Sequence, residues 1–219
     1  MIDLHTHTLF SDGDLAPSEL IRRAEMKGLR AIGLCDHVDM ADIERVVPSI
    51  VRACEENNRY RRIRAIPGVE ITHLPPALIG KYVVLARSLG AKVVVVHGES
   101  PVEPVEPGTN RAAILAGADI LAHPGLISEE EVALAAERTT HLEITARGGH
   151  SLANGHVARL AVRFGASLVL NTDAHGPGDL IDKAFARTVA FGAGLGEDEY
   201  LKLCANMERL AGLAGEGRQ

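Results

Sequence analysis

Short apolar runs rich in β-branched residues alternate along the chain with longer stretches whose apolar residues recur at helical spacing. Seven runs have strand length, at about residues 1–4, 30–35, 64–71, 92–97, 118–122, 141–145 and 167–171, and helical stretches follow nearly all of them. The first helix is expected from Ala16 to Lys27: Pro17 suits a first turn, Leu20, Ile21 and Ala24 share a face, and Gly28 stops it. Ser128 ahead of Glu129, Glu130 and Glu131 predicts a capped helix start, with acidic side chains at the positive end of the helix dipole. Lys92-Val93-Val94-Val95-Val96 is apolar without alternation, as in a strand covered on both faces of a parallel sheet. Repeated βα units of this kind predict an α/β protein, either a barrel or a doubly wound sheet.

The proline- and glutamate-rich stretch from Pro101 to Gly108 suits neither helix nor strand. It predicts a stiff surface connection, with a lid over a site as the alternative. No repeat, linker or low-complexity tract divides the chain, so one domain over residues 1–219 is expected, with residues 215–219 frayed. At 46% hydrophobic and 24% charged residues the chain has the composition of an ordinary globular protein. A net charge of −6 opposes a general nucleic-acid footprint and points to small substrates. Arg59, Arg61, Arg62 and Arg64 read as a solvated face; because they precede or open a strand, they belong at the end of a barrel remote from an active site. Cys35, Cys54 and Cys204 are scattered, which predicts reduced thiols and a cytoplasmic location. Neither a secretory leader nor a bilayer-spanning apolar stretch is visible, so no membrane association is expected.

Histidines and acids gather just after the predicted strands, where an α/β barrel builds its active site. The first strand runs into His5-Thr6-His7, with Asp12 beyond it, and the second into Asp36-His37. The third contains Glu70, the fourth ends in His97-Gly98-Glu99, the fifth in His123-Pro124-Gly125, and the seventh in Asn171-Thr172-Asp173-Ala174-His175. One histidine alone is more often a hydrogen-bonded structural residue, but packing gives no reason to repeat it at one end of every strand. Residues two apart in an extended segment point the same way, so His5 and His7 can share one ion. Imidazole and carboxylate donors without thiolates suit zinc, iron or manganese. Asp12 before Gly13 has a plain alternative as a turn residue, and Glu70 as a solvated one.

Taken in order, Asp3-Leu4-His5-Thr6-His7 with Ser11-Asp12-Gly13, Asp36-His37, Pro67-Gly68-Val69-Glu70, His97-Gly98-Glu99, Ala122-His123-Pro124-Gly125 and Asn171-Thr172-Asp173-Ala174-His175 resemble the PHP (polymerase and histidinol phosphatase) family over essentially the whole chain. The resemblance implies a distorted (β/α)7 barrel and about two to three divalent ions. It assigns His5, His7, Glu70 and Asp173 to a first ion, Glu70, His97 and His123 to a second, and Asp12, His37 and His175 to a third, with Glu70 bridging. One departure stands out: this chain has Cys35 where the family often has Thr.

The expected reaction is hydrolysis of a small phosphomonoester of the histidinol-phosphate, sugar-phosphate or nucleotide kind. Metal-activated hydroxide would attack phosphorus, with the third ion or a nearby acid stabilising the departing alkoxide. Glu70 and Asp173 carry the central roles, and Arg147, at the end of the sixth strand, is a candidate phosphate clamp against the plain reading of a surface arginine at a Gly-Gly turn. His150, Asn154, Arg111 and His73 are weaker candidates for substrate contact. His141 begins its strand and His156 lies on a helix, so neither belongs to the site. The competing readings are a phosphodiesterase or nuclease, a noncatalytic binding subunit, for which the complete donor set would have no use, and an amidohydrolase, which would carry a bridging lysine where this chain has Glu70.

Overall fold

The computed structural model describes residues 1–214, so the expected frayed end at 215–219 lies outside the described residues. The strands are β1 (Ile2–Thr6), β2 (Ala31–Leu34), β3 (His37–Val38), β4 (Arg64–Ile71), β5 (Val93–His97), β6 (Ile120–Ala122), β7 (His141–Thr145) and β8 (Leu168–Asn171). The helices are α1 (Pro17–Met26), α2 (Ile43–Asn58), α3 (Pro76–Ser88), α4 (Thr109–Leu115), α5 (Glu129–Arg138), α6 (Asn154–Phe164), α7 (Lys183–Gly192) and α8 (Glu197–Leu210), with a short 3-10 turn at His150–Ala153. Every strand pairing is parallel, in the order β1-β2-β4-β5-β6-β7-β8, with β3 as a two-residue extension paired to β4. The seven predicted strands are present, and the sheet curls into a nearly closed, distorted (β/α)7 barrel.

The seam between β8 and β1 is where the distortion lies. A regular ladder is replaced by single bonds: Leu4 N–H donates to the Asn171 side-chain oxygen (2.8 Å), Asp173 N–H to the His5 carbonyl (3.0 Å) and His7 N–H to the Ala174 carbonyl (2.8 Å). The barrel therefore closes through residues adjacent to, or themselves, candidate ligands. Val93, Val94, Val95 and Val96 are all buried, as their unbroken apolar pattern requires. The first helix buries Leu20, Ile21 and Ala24 and ends before Gly28, whose φ of +82° admits glycine without strain.

Ser128 Oγ accepts the Glu131 N–H at 3.2 Å, while the Glu131 carboxylate accepts the Ser128 N–H at 3.0 Å, completing a capping box on α5. No helix among the described residues is long and apolar enough to cross a membrane. Ser128→Ala is expected to lower the unfolding free energy by about 1 kcal/mol, read from the urea midpoint at unchanged slope. A midpoint equal to that of the unmodified chain would show that the box does not stabilise α5.

Candidate metal centre

Strand direction does the first part of the work. All strands run the same way, so the residues at their C-terminal ends meet at one mouth of the barrel. His5 lies in β1, His37 opens β3, Glu70 lies in β4 and His97 ends β5, while His7, His123, Asp173 and His175 occupy the turns just beyond their strands. His123 (φ +26°) and Asp173 (φ +53°) adopt positive-φ backbone conformations uncommon outside glycine, a strain that persists where surrounding contacts over-determine the turn. Those turns leave the strand direction abruptly. At Gly125, a Cβ would collide with the Glu99 carbonyl, so the turn carrying His123 packs directly on the one after His97.

All nine predicted donors are brought together. Among the described residues, three of the five sets whose ligand atoms lie within 4.8 Å of one another consist of these donors alone: His5, His7 and Asp173; Glu70, His97 and His123; and His7, Asp12, His37 and His175. The carboxylate of Glu70 reaches all three of these neighbourhoods. Its Oε2 lies 3.2 Å from His5 Nε2 and 2.8 Å from His37 Nδ1, and its Oε1 lies 3.8 Å from His123 Nε2. Asp173 Oδ1 lies 3.1 Å from His7 Nε2, and Asp12 faces His175 at 3.2 Å and His37 at 3.6 Å.

These close approaches are not hydrogen bonds of normal geometry. Among the described residues, His5 Nε2, both ring nitrogens of His7, both oxygens of Glu70, His123 Nδ1 and Asp173 Oδ1 are buried without an aligned partner. Leaving one such atom unsatisfied costs about 1–3 kcal/mol, and more when it is charged. A concentration of them in one place is what a divalent ion relieves, and imidazole with carboxylate is a donor set such ions accept. The residues therefore fit divalent metal.

Charge distribution agrees. Burial opposes the ionised form of Glu70, but His5 and His37 outweigh it and hold the carboxyl well below its ordinary range. Asp173 is likewise lowered against burial by His5 and His7. Burial lowers His7 to about 4 and puts His123 well below its ordinary value, leaving both rings neutral and able to ligate. His37 goes the other way: burial would lower it, but Glu70 and Asp12 raise it to about 9. Burial also opposes protonation of His5, which Glu143, Glu70 and Asp173 raise well above the ordinary value.

A second row of side chains fixes the first. Glu143 on β7 is fully buried, and its carboxylate faces His5 Nδ1 at 2.9 Å while accepting from the Asn171 amide (2.8 Å) and the His123 N–H (3.1 Å). A carboxylate on the far nitrogen of a ligand histidine fixes ring orientation and tautomer. Asp36 accepts from the N–H and hydroxyl groups of Thr8 and Ser11 (2.7–3.2 Å), pinning the turn that carries Asp12. Asp3 does the same for Thr172, whose hydroxyl donates to it at 2.5 Å. Cys35 donates its thiol to the Leu4 carbonyl at 3.1 Å and packs where a Cβ on Gly68 would collide, so it is a buried structural thiol.

The weaker candidates divide. Arg147 sits at the mouth with Nη1 3.3 Å from both the Asp173 carbonyl and the Asp179 carboxylate. His150 is buried beside His123, the rings stacked at 4.1 Å, and together with His123 and Asp173 forms a further possible donor set. Asn154 does not face a substrate: its amide accepts the Thr145 N–H and donates to the Thr145 carbonyl, closing the end of β7. Arg111 is exposed on α4. His73 lies near His97 at a ring separation of 5.3 Å. His141 bonds to the Asp119 carbonyl at the start of β7, and His156 to the Ile127 carbonyl on α6, away from the centre as expected.

Glu143 and Glu103 lie near the centre but in none of the motifs read from the sequence. Glu143 carries a usable signal, an acid between Leu142 and Ile144 in a strand buried along its whole length. Glu103 carries none: it lies in the stretch read as a stiff surface connection, yet its carboxylate turns inward onto His97 at 3.1 Å. Metal binding to this centre should release protons, because His5 and His37 carry them in the metal-free chain at neutral pH. Titration with Zn2+ at pH 7.5 in buffers of differing ionisation enthalpy is expected to show that release, falling as pH rises through about 9, where His37 loses its proton unaided. Heats independent of the buffer would contradict it.

The PHP domain family model matches residues 3–148. The uncharacterized protein MJ1295 of Methanocaldococcus jannaschii is 48% identical over 199 residues, covering 90% of this chain and 91% of that protein. A 5'-3' exoribonuclease of Haemophilus influenzae is 48% identical over 70 residues, 32% of this chain and 23% of the relative. Among solved structures, a Listeria monocytogenes protein with a provisional histidinol phosphatase assignment superposes with a TM-score of 0.61 at 14% identity, over 85% of this chain and 99% of that one. An amidohydrolase superposes comparably, at 0.62 and 14% identity over 98% of this chain and 74% of that one, so fold alone does not choose between phosphorus and carbonyl centres. With its donor set assembled at one end of a parallel barrel and a family match over most of its length, this chain belongs to the PHP domain family.

Proposed function

We propose that this protein is a metal-dependent phosphoesterase whose substrate is a small phosphomonoester. The observation that carries the reading is the adjacency of the three donor sets, joined through Glu70 and His7. In this reading His5, His7, Glu70 and Asp173 hold one ion, Glu70, His97 and His123 a second, and Asp12, His37 and His175 a third. Bound zinc, manganese or iron would supply a lowered water pKa and charge stabilisation at the attacking and leaving oxygens of a phosphoryl group. No serine or cysteine nucleophile is then required of the chain: Cys35 is occupied by the Leu4 carbonyl.

The protein's own part is orientation and selection. Glu143 holds the His5 ring, and Asp36 holds the turn of Asp12. Arg147 is anchored on one nitrogen, and its other donors suit phosphate oxygens. It is the sole Lys or Arg in loops 7–16, 35–42, 72–75, 98–108, 123–128, 146–149 and 172–182, which hold eleven Asp and Glu residues. A polyanion would meet that repulsion along its length, whereas a monoester presents its phosphate only to the centre and Arg147. The local similarity to an exoribonuclease favours the diesterase as the second reading.

Both readings are separated by assaying the metal-loaded protein on 4-nitrophenyl phosphate and bis(4-nitrophenyl) phosphate, with His97→Ala as the inactive control. Monoester hydrolysis well above the control is expected. Diester hydrolysis alone would favour the second reading, and parity with the control on both would remove phosphoesterase activity. Arg147→Ala is expected to raise the KM for the monoester about 10- to 100-fold, the loss of a charge-assisted hydrogen bond, with a smaller change in kcat. An unchanged KM would remove the arginine from substrate binding.

A further inference from the structure

The loop from Gly98 to Gly108 is tied down at both ends. Glu99 Oε1 accepts the N–H groups of Gly108 (3.0 Å) and Asn110 (2.9 Å), and the Asn110 side chain accepts the Glu99 N–H (3.0 Å) and donates to the Pro124 carbonyl (2.9 Å). Pro101, Pro104 and Pro107 restrict the backbone between these ties. The clamp thus joins the loop to the turn carrying His123, and the side chain it presents inward is Glu103.

Three imidazoles converge on that carboxylate through the same ring atom. Glu103 Oε2 lies 3.1 Å from His97 Nε2 and 3.5 Å from His73 Nε2, and Oε1 lies 3.3 Å from His150 Nε2. The opposite nitrogens of two of these rings are already engaged: His97 Nδ1 lies 3.1 Å from the Gly98 carbonyl, and His150 Nδ1 lies 2.6 Å from Ser100 Oγ. A carbonyl can only accept, so His97 Nδ1 carries the proton and a neutral His97 directs the Nε2 lone pair at the carboxylate. Two lone pairs at this distance repel unless a cation lies between them. That cation is either a second proton on His97 or a metal ion.

The spacing of the His97–Glu103 pair suits a shared metal, while Glu103 stands just outside the set of Glu70, His97 and His123 and would close onto it with the ion. Ligands bound at about 2.0–2.2 Å in tetrahedral or octahedral arrangement stand roughly 3.0–3.5 Å apart. His97 Nε2 also belongs to the set it forms with Glu70 and His123. Resting on the metal-centre reading above, we propose that Glu103 is a tenth protein ligand of the centre, bound with Glu70, His97 and His123 to the same divalent ion. The ion would then have two imidazole and two carboxylate ligands, one delivered by a loop clamped for that purpose. A plain His97–Glu103 ion pair predicts the opposite behaviour, since a metal would first have to break it.

The sign of one substitution separates the two. Wild type, Glu103→Gln and Glu106→Gln, the last altering an exposed acid on the same loop, are equilibrated across a series of buffered free Zn2+ concentrations, and bound zinc is counted by elemental analysis. One zinc of Glu103→Gln is expected to need at least about tenfold more free metal, with the other steps and Glu106→Gln unchanged. Glu103→Ala, which keeps no side-chain oxygen, must weaken that step at least as much. Equal thermal midpoints of the metal-free proteins separate a lost ligand from a lost fold. Zinc binding by Glu103→Gln equal to or tighter than wild type overturns the assignment and leaves the ion pair. Wild type that binds no zinc overturns the metal-centre reading as well.

Discussion

Buried lone pairs facing one another are the constraint on which this structure turns. His5, His7, Glu70, His123 and Asp173 are all buried, and their ring nitrogens and carboxylate oxygens approach without protons aligned between them. In a dry interior such an arrangement is costly, and protons alone relieve it unevenly: His37 is raised to about 9 while His7 falls to about 4. Divalent cations relieve all of it together. Metal binding would recover the free energy lost in assembling the donors, which ties occupancy to the fold.

The barrel is distorted in the same place. Between β8 and β1, Asn171, Asp173 and His5 supply seam bonds, and Asp173 and His5 are also donors of the centre. The chain closes through side-chain and turn contacts, with Glu143 bonded to both Asn171 and His5. Left-handed conformations at His123 and Asp173 belong to the same compromise: a strand that continued straight would carry these side chains past the mouth.

Much of this was legible in the sequence because two signals coincide. Strand-length apolar runs give the barrel, including the boundaries of β4 and β7, and histidines or acids just past them mark the mouth, whereas Asp12 and Glu70 join the candidate set only through the family resemblance. What escaped has specific causes. Strand β3 is two residues long, too short for any period to register. Glu143 looks like one acid in a strand until the barrel turns it inward. Asn154 looks like a substrate contact but is consumed by the Thr145 backbone. Glu103 sits among prolines with no periodicity, and only the Glu99–Asn110 clamp, formed across the loop, reveals where it points.

Metal ions among these side chains are what the donor arrangement requires. Anomalous diffraction from crystals of the protein, measured above and below the absorption edge of each metal found by elemental analysis, addresses it directly. Three peaks are expected, enclosed by His5, His7, Glu70 and Asp173, by Glu70, His97 and His123, and by Asp12, His37 and His175, with the Glu70 carboxylate between the first two. Electron density with the histidines paired to carboxylates and waters, and no anomalous signal at any of the three positions, would contradict it.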